Sequence, residues 1–100
     1  VEGGLMASKQ PVSGVLAEML RLARSCDYFQ CLRLARDAST TEVKDAWLYV
    51  VAELKALESL QDMTEEEALA LKEVTQVFND AFEVLSDPDL RLAYRLALES

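Results

Sequence analysis

Apolar positions repeat at helical spacing along almost the whole chain, and no stretch alternates with the period of a strand. From Ser13 to Ser25, following Pro11, the residues Val15, Leu16, Met19, Leu20 and Ala23 share one face of an amphipathic helix. From Thr40 to about Leu60 the stripe is Val43, Ala46, Trp47, Val50, Val51, Leu54 and Leu57. After Thr64 it is Ala68, Leu71, Val74, Phe78, Ala81, Phe82 and Leu85. Leu90, Ala93, Tyr94 and Ala97 give the apolar side of a last short helix. Asp27 to Leu32 reads as a turn-like helix capped by Asp27, and residues 34–38 as a loop.

Start signals sharpen these boundaries. Ser39-Thr40-Thr41-Glu42 and Thr64-Glu65-Glu66-Glu67 are both capping boxes, a hydroxyl followed three residues later by a carboxylate. The three glutamates of the second suit the positive end of a helix dipole. Ser86-Asp87-Pro88-Asp89 ends one helix and opens the next, with Asp87 as cap and Pro88 at the first helical position. The pattern predicts an all-α fold in a single domain over residues 12–100. Residues 1–11 are expected to be a flexible segment or an expression remnant, because Val1-Glu2-Gly3-Gly4-Leu5 precedes the first methionine, Met6; the chain can equally be a piece of a longer protein.

Composition narrows the chemistry. One hundred residues hold one small core. Histidine is absent, which removes imidazole as general base, partner of a nucleophile or metal ligand. The net charge of −8 argues against a nucleic-acid partner, which needs a basic footprint. That charge is local: residues 1–57 are neutral overall, 58–89 carry −9 and 90–100 carry +1. The acidic stretch reads as a solvated face or as a site for a basic partner. Glu65-Glu66-Glu67 lacks the glycine turn and alternating ligands of a calcium loop, so no metal is expected. No apolar run is long enough to span a membrane, and no signal peptide is visible. Cys26 and Cys31 are too few for a disulfide framework and read as reduced, mostly buried thiols of a cytoplasmic protein. No catalytic residue emerges. A cysteine without histidine is a poor nucleophile, and Asp87 and Asp89 are better explained as caps. No cofactor and no small-molecule substrate are expected.

Several of these motifs together resemble the J-domain, the helical module of the DnaJ family. Asp27-Tyr28-Phe29-Gln30-Cys31-Leu32 is similar to its opening Asp-Tyr-Tyr-x-x-Leu. Asp37-Ala38-Ser39 with Glu42-Val43-Lys44-x-Ala46-Trp47 is similar to Asp-Ala-Ser with Glu-Ile-Lys-x-Ala-Tyr. The most specific part is Asn79-Asp80-Ala81-Phe82-Glu83-Val84-Leu85-Ser86-Asp87-Pro88, followed by Arg91 and Tyr94. The resemblance covers about residues 27–98. It implies an antiparallel hairpin of the two long helices, with the segment at Asp27 and the last helix packed on either side and an additional helix at about 13–25. Trp47 and Val50 would meet Phe78, Ala81 and Phe82, Arg91 would bond carbonyls at a helix end, and Tyr94 would cover the end of the core.

Departures from the family bear on function. A working J-domain stimulates a DnaK-type ATPase through a His-Pro-Asp tripeptide after its second helix. The aligned residues here are Lys55-Ala56-Leu57, and without histidine no register recovers the motif. The family's second helix also carries a basic outer face, whereas Thr40 to Glu58 is net −2 here. Leu48 and Tyr49 stand where the family usually has Arg or Lys. With Ala52 and Ala56 they give this helix a second apolar stripe, flanked by Lys55. Such a face is covered or it is exposed: the additional N-terminal helix folds over it, a partner protein or second copy binds it, or it stays bare. The function expected is a non-enzymatic protein–protein interaction or regulatory module. Its binding residues would be Leu48, Tyr49, Ala52, Lys55 and Ala56, acting through this helix or the N-terminal one. The alternative is a divergent co-chaperone, or an antagonist of an active J-domain.

Overall fold

Four side chains set where helices begin. Asp27, Ser39, Thr64 and Asp87 each hold an extended backbone while a side-chain oxygen accepts from an amide of the following turn. The computed structural model describes residues 11–60 and 62–100, with side chains from residue 14 onward. The expectation of a flexible segment over 1–11 lies outside the described residues except at Pro11, which is the first helical residue. The elements are α1 (Pro11–Ser25), α2 (Tyr28–Cys31), α3 (Thr40–Glu58), α4 (Glu65–Ser86) and α5 (Pro88–Glu99). The described residues are all-α, with no strand.

Both expected capping boxes form. Ser39 Oγ accepts from the Glu42 amide at 3.2 Å, and Glu42 Oε1 takes the Ser39 amide at 2.8 Å. Thr64 and Glu67 repeat the exchange at 3.1 and 2.9 Å. A third box joins Asp27 to Gln30, each side chain taking the other's amide, so even the four-residue α2 has a capped start. α2 is closed, two residues past its last helical residue, by Arg33, whose φ of 59° is left-handed. The Leu34 amide reaches back to Phe29 O and the Arg33 amide to Gln30 O, the paired bonds that close a helix at a left-handed residue. This position usually favours glycine, and Arg33 holds it while lying 3.9 Å from Glu53 of α3.

α4 is the central element; α1, α2, α3 and α5 all pack against it. Its buried residues Leu71, Val74, Phe78, Ala81 and Leu85 follow the expected stripe, but Ala68 is exposed. Ala70, Val77 and Val84 are part-buried on its other flank, because one stripe is too narrow for four neighbours. α3 presents Val43, Val50, Leu54 and Leu57, and Trp47 stacks on Phe82 with ring centroids 4.7 Å apart. Arg91 fixes the direction of this pair. Its Nη1 donates to Leu85 O at 2.7 Å and to Thr40 Oγ1 at 3.1 Å, so the start of α3 lies beside the end of α4. The two long helices therefore run antiparallel.

Three expectations need correction. α1 buries Leu16, Met19 and Leu22, the last outside the expected stripe, while Val15 stays exposed. α5 turns Arg91, Tyr94 and Leu98 inward and leaves Leu90, Ala93 and Ala97 outside. Hydrogen bonds choose that face: Arg91 reaches Leu85 O, and the Tyr94 hydroxyl accepts from the Tyr28 amide at 2.9 Å. For the same reason α2 and α5 do not flank the hairpin from opposite sides. They touch, with Tyr28 stacked on Tyr94 at 4.9 Å and Phe29 tilted against it at 5.9 Å.

Candidate protein-docking face

The outer face of α3 follows from helix geometry. Residues turned away from Val43, Val50, Leu54 and Leu57 fall near Thr41, Asp45, Leu48, Ala52, Lys55 and Ala56, with Tyr49 on one flank. All seven are exposed. Leu48 is 68% and Tyr49 64% exposed, among the most accessible large apolar side chains of the described chain. Leu48, Tyr49, Ala52, Lys55 and Ala56 thus lie together on one convex surface.

The N-terminal helix does not cover this face. α1 packs on α4 instead and closes its contact with an ion pair in which Arg24 Nε and Nη2 each lie 2.8 Å from a Glu73 carboxylate oxygen. The pairing holds the Glu73 carboxyl below its ordinary range and the Arg24 guanidinium above its own. The reason α1 goes there is the part-buried flank of α4 around Ala70, which shares a hollow with Leu16 and Leu20. An amphipathic stripe is satisfied by any apolar surface within reach, and α4 offered one.

Two other places were candidates for chemistry. Arg36, Arg91 and Arg95 line one hollow beside Asp37, but each guanidinium is engaged. Arg36 pairs with Asp27 at 3.3 Å, Arg91 holds Leu85 O and Thr40, and Arg95 lies 3.8 Å from Glu99. The cysteines are free thiols. Cys31 is buried and donates to Leu22 O at 3.3 Å. Burial pushes its thiol up to about 11, with Cys26 and Asp27 adding to the shift, so at neutral pH it is a protonated core residue.

Apolar exposure is not confined to α3. Leu69 on α4 and Leu90, Leu92 and Leu96 on α5 are also half or more exposed, and sequence reasoning singled out none of them as surface. The i, i+4 spacing of Leu92 and Leu96 was the available signal. No helix of the described residues is long and apolar enough to cross a membrane. No family model, curated protein or solved structure matches the chain.

Proposed function

We propose that this chain is a non-enzymatic protein–protein interaction module with a degenerate J-like fold, acting in the cytoplasm through the outer face of α3. The observation that carries the reading is the exposure of Leu48 and Tyr49 in the middle of a long, well-capped helix. A bare apolar pair at that position is a normal feature of a docking helix and a costly one for a helix with no partner. The antiparallel pairing of α3 with α4 and the tether from Arg91 are what a J-like hairpin requires, and they support that part of the reading. Lys55-Ala56-Leu57 occupies the place of the family's His-Pro-Asp at the end of α3, and the helix carries −2 where a basic surface would meet the chaperone. Switch and electrostatic steering are lost together.

The test is the steady-state ATPase of a DnaK-type chaperone with the chain added at micromolar concentration. The expected rate is that of the chaperone alone. Stimulation by the unaltered chain would overturn the reading in favour of a co-chaperone.

A further inference from the structure

We infer that the partner of this face is a second copy of the same chain, docked with α3 antiparallel to its mate about a two-fold axis. The inference rests on the docking reading above and deepens it. The outer face of α3 has the spacing of a coiled-coil seam: Thr41, Asp45, Leu48, Ala52, Lys55 and Ser59 recur at alternating intervals of four and three, and all are exposed. Along that seam the residue types are complementary by reflection through Val50. Leu48 and Ala52 lie equally far from Val50 on either side, as do Asp45 and Lys55, and Thr41 and Ser59. In a two-fold interface residue i meets j and j meets i. An antiparallel mate in this register therefore sets each Leu48 over an Ala52, a large side chain against a small one. It also sets each Asp45 against a Lys55.

The flanks obey the same register. Antiparallel pairing brings Lys44 of one copy beside Glu58 of the other, and the two Tyr49 rings beside each other. Every charge named meets its opposite, giving four intermolecular ion pairs around an apolar centre. A parallel mate would instead set Asp45 on Asp45 and Lys55 on Lys55, which is repulsive. The charges are also available. Among the described residues Lys44, Asp45, Lys55 and Glu58 make no ion pair within the chain, whereas each described arginine is engaged. One helix pair buries less than the roughly 1,200–2,000 Å² of a standard stable interface, so the dimer is weak and concentration-dependent.

The experiment is sedimentation equilibrium of the full chain up to high micromolar concentration, at low and high salt. It compares the wild type with Asp45→Lys, with Lys55→Asp and with the double variant carrying both. Far-UV circular dichroism melts at low concentration check that each variant is folded, as exposed positions allow. The wild type is expected to dimerise, and each single variant to dissociate at least about tenfold more readily, because both of its Asp45–Lys55 pairs become like-charged. The double variant, with the charges exchanged, regains wild-type affinity only in the antiparallel register. Singles that dimerise like the wild type, or a double variant as weak as the singles, would overturn this register. A wild type that stays monomeric would overturn the second copy as occupant. Neither result touches the docking reading itself, which is tested separately by the ATPase and by the stability of variants at Leu48 and Tyr49.

Discussion

Phe78→Ala is expected to lower the free energy of unfolding by about 3–5 kcal/mol, the range for removing a buried aromatic ring from a core. Phe78 is 1% exposed and lies on α4, the helix against which all the others pack. Truncation leaves a void that no single neighbouring helix can close without losing contact with α4. A domain of this size has a total stability of about 5–15 kcal/mol. The loss therefore consumes a large share of it, and the thermal midpoint falls by roughly 12–40 °C at about 4–8 °C per kcal/mol. Chemical and thermal unfolding followed by far-UV circular dichroism measure both quantities. A loss below about 1 kcal/mol would mean that α4 is not the centre of the core.

Arg91→Met is the second large effect, expected near 2 kcal/mol. Methionine keeps most of the apolar stem and removes the guanidinium. Leu85 O belongs to the last turn of α4, where carbonyls have no partner within the helix. That turn carries no basic residue of its own. Arg91 supplies from α5 both the donor and the positive charge that the helix end favours. A charge-assisted bond of this kind contributes about 1.5–3 kcal/mol, and its loss also frees the Thr40 hydroxyl. Unfolding of Arg91→Met, Thr40→Val and the double variant forms the test. The two losses are expected to be sub-additive, since the residues share one bond; strict additivity would show that Arg91 acts on Leu85 alone.

What could be read from the sequence was what is local. Ser39 with Glu42, Thr64 with Glu67, and Asp87 before Pro88 are contacts between residues within three or four positions, so motif and structure coincide. The core stripe of α3 was legible for the same reason: its residues answer to one partner helix. Where several surfaces compete, the pattern no longer decides. The stripe of α1 announced a face but not its destination: the outer face of α3 was one candidate, and α4 took the helix. On α5 the apolar count placed Leu90, Ala93 and Ala97 on the same side as Tyr94, yet only Tyr94 turned inward, together with Arg91, because each satisfies a backbone group nearby. Arg33 gave no warning of its left-handed backbone, because only glycine or asparagine would have marked the position. The apolar outer face of α3 was legible in composition and spacing, and the packing of α1 elsewhere is what leaves it bare.

The most direct test of the account is the stability of the Leu48→Glu, Tyr49→Glu double variant, measured by urea unfolding at low micromolar concentration, where a weak dimer is dissociated. Because both side chains point away from the core, the account predicts an unfolding free energy within about 0.5 kcal/mol of the wild type. A loss of about 3 kcal/mol or more, the cost of burying charge in a packed interior, would contradict it and show that this face is covered by the chain's own fold.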